Sequence, residues 1–132
     1  MQEFQPDDTI NSRYKVLRKL GAGAMGSVYL CEDSVENHAK VALKVLISEN
    51  LEDQDIWAKG EYEALTRLRH PNLAKVYNFG RISSTNDYFI VSEFIKGIDL
   101  FSATEYLNYE ELADILVQIC RALEYIHSQG YV

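Results

Sequence analysis

The chain has 132 residues, 47% of them hydrophobic and 25% charged, enough apolar material for one real core in a domain of ordinary composition. Its formal net charge of −7 argues against a nucleic-acid-binding surface, which needs clustered basic residues. No apolar run approaches a membrane span, and the acidic start Met1-Gln-Glu-Phe-Gln-Pro6-Asp7-Asp8 lacks the basic-then-apolar order of a signal peptide, so a cytoplasmic protein with no membrane partner is expected.

Residues 1–12 are polar and without periodicity, and read as a flexible lead-in. From Tyr14 to about Leu46 the chain is rich in β-branched and aromatic residues, broken at Ala22–Gly26 and Asp33–Ala39. This pattern predicts three antiparallel strands over about 14–22, 26–32 and 39–47. The period then changes. Ile56, Trp57, Gly60, Ala64, Leu65 and Leu68 recur at helical spacing over 52–69, with an acidic first turn (Glu52, Asp53, Asp55) and a basic last turn (Arg67, Arg69). Pro71 ends this helix. Two further strands, about 74–80 and 87–94, flank the polar turn Ser83-Ser84-Thr85-Asn86. Gly97 breaks the chain before a short helix from about Leu100 to Tyr106. A long amphipathic helix follows from Tyr109 to Ser128, with the stripe Leu112, Ile115, Leu116, Ile119, Leu123 and Ile126. The expected class is α+β: a five-stranded antiparallel sheet with one helix, followed by two more helices. Cys31 and Cys120 match no metal-ligand spacing and are expected to be free, buried or half-buried thiols.

The most informative segment is Gly21-Ala-Gly23-Ala-Met-Gly26-Ser-Val28, which closes a hairpin and precedes the strand Val41-Ala42-Leu43-Lys44. Glycines let a backbone approach a ligand closely, and its inward N–H groups suit a phosphate. A dinucleotide-binding turn of the same spacing would leave a strand and open a helix; this one is flanked by strands. Lys44 is alone among apolar neighbours, so it either snorkels to the sheet edge or pairs with a carboxylate on the following helix. Glu61 shares a face with Trp57, Ala64, Leu65 and Leu68. Glu63 is rotated by about 200° from it and should face solvent, which makes Glu61 the better partner. His70 and His127 have no nucleophile–carboxylate constellation and read as structural; His38 reads as an exposed turn residue.

The glycine turn with Val28, the Val-Ala-Leu-Lys44 strand and Glu61 on a helix ending in Arg69-His70-Pro71-Asn72 resemble the N-terminal lobe of a protein kinase. The Gly-Ala-Met-Gly-Ser-Val-Tyr and Leu-Arg-His-Pro-Asn segments are most similar to eukaryotic-like Ser/Thr kinases of bacteria, over nearly the whole chain from Tyr14 to Val132. The resemblance implies a small lobe over 13–94, and a hinge with the first two helices of a large lobe over 95–132. It further implies that Gly21, Gly23 and Gly26 cover ATP phosphates, that Val28 and Ala42 line an adenine pocket, and that Lys44 holds the α- and β-phosphates with Glu61 holding Lys44. Leu65 and Val76 would couple helix to sheet. Ser92 would stand at the gatekeeper position, the backbone of Glu93 and Ile95 would bond adenine, and Asp99 would lie near the ribose.

In that family the catalytic loop and the Asp-Phe-Gly magnesium site follow the segment that ends here, and neither motif occurs among the 132 residues. The chain alone is therefore expected to be inactive, to carry no metal ligands, and to self-associate through, or fold back, the apolar face of helix 109–128. A protein substrate is implied for the parent. Three readings stay open: the ATP-binding part of a Ser/Thr protein kinase, a pseudokinase or regulatory kinase-like domain without catalysis, and an unrelated α+β nucleotide-binding domain.

Overall fold

The computed structural model describes residues 3–24, 26–46 and 62–131. It divides into two compact units, Met1–Arg67 with Lys75–Phe94, and Leu68–Ala74 with Ile95–Val132.

The first unit is an antiparallel sheet of β1 (Thr9–Ile10), β2 (Tyr14–Gly23), β3 (Gly26–Asp33), β4 (Ala39–Leu46), β5 (Val76–Arg81) and β6 (Tyr88–Glu93), in the order β1-β2-β3-β4-β6-β5. Five of these strands lie where the β-branched and aromatic runs place them; the two-residue β1 is an addition. Strand alternation separates two faces. Val41, Leu43 and Val45 are buried, and so are their cross-strand partners Cys31, Tyr29 and Ser27 on β3, and Val91 and Phe89 on β6. With Phe4, Ile10, Tyr14, Val16 and Ile82, all of these except Ser27 form the hydrophobic core on one side of the sheet. Ala42, Lys44 and Leu46 alternate with them on the other, half-buried side.

Residues 3–12 are not the loose lead-in that their polarity suggests. Phe4 is 8% exposed and Ile10 1%, and the Phe4 ring meets Tyr29 edge-on at 5.8 Å. Two apolar side chains six residues apart are enough to dock this segment on the core. Asp7, Asn11 and Ser12 accept positive φ of 73°, 49° and 56° in doing so. Lys15 and Tyr14 of β2 pair with Thr9 and Ile10 of β1.

At the far end of the β2–β3 hairpin, the Arg13 guanidinium makes a bidentate pair with Asp33 at 2.8 and 2.9 Å. The Asp33 carboxylate also accepts from the Val35 N–H at 3.1 Å. Its pKa is held below the ordinary carboxylate value, chiefly by the hydrogen bond from Arg13. The connection to β4 turns through Asn37 and His38, both with positive φ, and His38 is exposed as expected. Burial pushes the Cys31 thiol up to about 12, so it is an inert core residue. Cys120 is exposed, a correction to the expected buried or half-buried thiol, because it lies off the face of its helix that holds the buried Ala122.

Of the helix expected over 52–69, residues 52–61 lie outside the described residues, and 62–65 are helical (α1). Tyr62 there stacks on Phe79 of β5 at 4.7 Å, Phe79 stacks on Tyr88 of β6 at 5.2 Å, and the Arg81 guanidinium lies 4.7 Å over Tyr88. Leu65 is half-buried and Glu63 exposed, as the helical spacing requires.

The second unit contains α2 (Leu100–Ala103), shorter than the expected run to Tyr106, and α3 (Tyr109–Ser128), which has the expected ends. Asn108 and Glu111 form a reciprocal capping box at the start of α3. The segment 68–74 docks on α3: the Arg69 N–H donates to the Tyr125 hydroxyl at 2.9 Å, Asn72 Nδ2 donates to Gln118 Oε1 at 2.9 Å, and His70 packs on the Tyr125 ring. His70 Nδ1 accepts from the Asn72 N–H at 3.0 Å, a turn-closing contact. Ala122 is buried, whereas Leu116, Ile119 and Leu123 of the apolar stripe are 40–49% exposed within the described residues.

Candidate functional site

Sheet register shows which side chains share the half-buried face. In an antiparallel pair, directly opposed residues point the same way. Val28 of β3 opposes Lys44 of β4, Lys44 opposes Ile90 of β6, and Ile90 opposes Phe79 of β5. One step along, Leu30 opposes Ala42, Ala42 opposes Ser92, and Ser92 opposes Val76. Two cross-strand rows thus hold Val28, Lys44, Ala42, Ser92 and Val76 on one side of the sheet, about 6.7 Å apart along the strands. The small pair Ala42 and Ser92 makes a low patch between bulkier neighbours. Leu30, Ile90 and Phe79 belong to the same rows and are not among the residues singled out in the sequence. Their signal was available in the alternation: Leu30 is two residues past Val28, and Ile90 two before Ser92.

The sheet order decides one alternative for Lys44. β4 lies between β3 and β6, so no sheet edge is within its reach. Lys44 is half-buried and makes no ion pair among the described residues. Glu61, its expected partner, lies outside the described residues.

The glycine turn stands at the end of these rows, where Gly21 opposes Val28 and Gly23 opposes Gly26. Its three glycines differ. A Cβ built on Gly21 or Gly23 meets nothing within 4 Å, so both backbones border open space that a side chain would fill. Gly26 has φ +139°, and a Cβ there would lie 1.8 Å from the Val45 carbonyl oxygen. Gly26 is therefore required by the β3–β4 approach itself, independently of any ligand.

The remaining expected residues are divided between the two units. Glu93 ends β6; its N–H donates to the Lys75 carbonyl at 2.8 Å and its carboxylate accepts from the Lys75 N–H at 3.2 Å. Its amide is thus engaged within the first unit. Ile95 belongs to the second unit, is 61% exposed, and has no backbone hydrogen bond among the described residues. Asp99, in the same unit, is the N-cap of α2: one carboxylate oxygen accepts from the Ser102 N–H and the other from the Ser102 hydroxyl, both at 2.8 Å. Those bonds, the backbone one first, hold its pKa below the usual value. A cap was not foreseen for Asp99, although Asp three residues before Ser at a helix start is its signal.

A cavity of about 460 Å³ opens at the other end of the β2–β3 hairpin, lined by Arg13, Asp33, Glu36, Lys40, Val41 and Tyr77 among others. It shares no residue with the glycine turn or the Lys44 row. Among the described residues no group of three or more His, Cys, Asp or Glu could hold a metal ion. None of the described helices is long and apolar enough to cross a membrane.

Residues 14–132 match the family model described as protein kinase domain. The serine/threonine-protein kinase PrkC of Bacillus subtilis is 32% identical over 128 residues, covering 93% of this chain and 19% of that protein. The probable serine/threonine-protein kinase PknB of Lactococcus lactis is 33% identical over 129 residues, covering 91% of this chain and 20% of its own length. The crystal structure of the M. tuberculosis PknI kinase domain matches with a TM-score of 0.79 at 27% identity, over 97% of this chain and 52% of that one. The chain thus spans about a fifth of these two curated relatives and about half of the solved domain.

Proposed function

The chain belongs to the protein kinase family, and from that membership we propose that it is the ATP-binding part of a Ser/Thr protein kinase of the bacterial type. The observation that carries this reading is the register that groups Val28, Ala42, Lys44 and Ser92 on one half-buried face beside the open space of Gly21 and Gly23. Gly21 and Gly23 present main-chain amides to the phosphates, and Gly26 keeps the turn seated on β4. Lys44 supplies a fixed positive charge to the α- and β-phosphates, with Glu61 orienting its ammonium. Val28 and Ala42 pack on adenine, Ser92 leaves room behind it, the backbones of Glu93 and Ile95 bond its edge, and Asp99 serves the ribose.

Magnesium-bound ATP supplies the transferable phosphoryl group. No magnesium ligands are assigned to these residues. Within this polypeptide Lys44 and Glu61 position phosphate, and no aspartate base of a catalytic loop is present. A polypeptide of these 132 residues is therefore inactive in phosphoryl transfer and binds nucleotide weakly. The parent acts on protein Ser or Thr in the cytoplasm.

An amide-resolved NMR titration with ATP tests the nucleotide face. Shifts confined to residues 20–28, 42–44 and 90–95 support it; shifts centred on the Arg13–Asp33 cavity contradict it. The second reading is a pseudokinase, and a longer chain decides between them. A His-Arg-Asp…Asn run followed by Asp-Phe-Gly after Val132 supports the enzyme, and replaced aspartates support the pseudokinase.

A further inference from the structure

The strand that leads into the glycine turn is poorly supported on its outer side. β1 pairs with β2 only at Tyr14 and Lys15, so from Val16 to Gly23 no strand lies beyond β2 among the described residues. The β2–β3 ladder on its inner side is interrupted twice, with register shifts between Val16 and Arg18 and between Lys19 and Gly21. The missing support comes from residues 3–12, which run back along β2 and are fastened at three places. Nearest the turn, Glu3 pairs with Lys19, and Phe4 sets its ring edge-on to Tyr29 while its N–H donates to the Tyr29 hydroxyl at 3.2 Å. Midway, the Asp7 N–H donates to the Val16 carbonyl and the Val16 N–H to the Asp8 carbonyl, both at 2.8 Å. At the far end Asn11 reaches the opposite edge of the sheet: Nδ2 donates to the Arg81 carbonyl at 2.7 Å, and Oδ1 accepts from the Ser83 N–H at 2.8 Å. The segment therefore ties β2 to the β5–β6 hairpin across the core.

We propose that residues 3–12 are a clasp that positions the glycine turn, with Phe4 as the positioning residue, and that the clasp sets how tightly the turn closes on nucleotide phosphates. Lys19 and Tyr29 are cross-strand partners at the base of the turn, and Glu3 and Phe4 hold one each. Releasing them frees the end of the hairpin and leaves β3–β4–β6 intact. The effect on phosphate rests on the nucleotide reading above; the mechanical effect does not.

The test is amide hydrogen exchange on the 132-residue chain with Phe4→Ala and Phe4→Leu, with and without ATP. Phe4→Ala should raise exchange at residues 19–24 and 26–28 about tenfold, as local opening does, with less than about twofold change at Val41, Leu43, Val45 and Val91. Phe4→Leu should fall between and decides by the same criterion if Phe4→Ala does not fold. Unchanged turn exchange overturns the clasp, and so does a uniform rise across the whole sheet. ATP should protect the turn, and Phe4→Ala should raise the half-saturating ATP concentration about threefold or more, a modest coupling between sites. Protection with an unshifted half-saturation overturns the link to nucleotide. No protection in the native chain, with a raised turn exchange in Phe4→Ala, overturns the nucleotide reading and leaves the clasp standing.

Discussion

Replacing Gly26 by alanine should unfold the chain far more readily than the same change at Gly21 or Gly23, although all three glycines belong to one turn. The Gly26 backbone is at φ +139°, and the new Cβ would lie 1.8 Å from the Val45 oxygen and 2.9 Å from its carbon. That is about 1.2 Å inside the 3.0 Å limit below which real Cβ contacts are essentially never found. The obstacle is the backbone of β4, so no side-chain rotation relieves it. Strain at such a φ costs about 1–3 kcal/mol. Moving β3 off β4 forfeits one or two ladder hydrogen bonds at about 1 kcal/mol each. The sum, about 2–5 kcal/mol, is a large share of the roughly 5–15 kcal/mol that holds a domain folded. Gly21 and Gly23 have open space, and alanine there changes stability by less than about 1 kcal/mol. Equilibrium urea unfolding of the three variants, followed by far-UV circular dichroism, reads these differences as shifts of midpoint. A Gly26→Ala midpoint within error of the native chain would refute the steric argument, and so would a Gly21→Ala loss of equal size.

The Arg13–Asp33 pair gives a pH prediction. The folded pKa of Asp33 is depressed, so its contribution is complete above the unfolded carboxylate value near 4 and is lost as pH falls through the lower folded pKa. Thermal melts from pH 7 to 2 should show this loss, and Asp33→Asn should remove that part of the acid dependence while lowering stability at pH 7 by about 1–2 kcal/mol, given the part-exposed arginine. Truncating the aromatic stack by Tyr62→Ala should cost about 1 kcal/mol or more, and Tyr62→Phe much less, because the ring contact with Phe79 is what is lost. Sedimentation should show self-association of the chain that is abolished by Leu116→Glu with Leu123→Glu, since both side chains are exposed within the described residues; a monomer at high concentration for the native chain contradicts it.

The strands were legible from their apolar, β-branched and aromatic runs, and α3 from its helical stripe. Val41 to Leu46 is apolar at every position but Lys44, and the ends of Tyr109–Ser128 carry Asn108 with Glu111 and a final Ser-Gln-Gly. The six-residue spacing of Phe4 and Ile10 is neither a strand nor a helix period, so their docking was invisible along the chain and became evident only when the core opposite Lys44 was in place. The same holds within the glycine turn. Three glycines look equivalent in one dimension, and only the position of the Val45 carbonyl distinguishes Gly26 from its neighbours. Asp99 read as a ribose ligand by resemblance, whereas its local chemistry is that of a helix cap through Ser102. The grouping of Val28, Ala42, Lys44 and Ser92 was inherited from resemblance and acquires its physical basis in the register of three strands.

The central claim is that the face holding Lys44, with Gly21 and Gly23 at its end, receives the phosphates of ATP. An acyl-phosphate derivative of ATP, which acylates an amine lying beside its phosphates, tests this directly when the labelled peptides are identified by mass spectrometry. The account predicts that Lys44 is labelled well above Lys15, Lys19 and Lys40, that excess ATP suppresses its label alone, and that Gly21→Val weakens it. Labelling spread evenly over the lysines, or a Lys44 label indifferent to excess ATP, would contradict it.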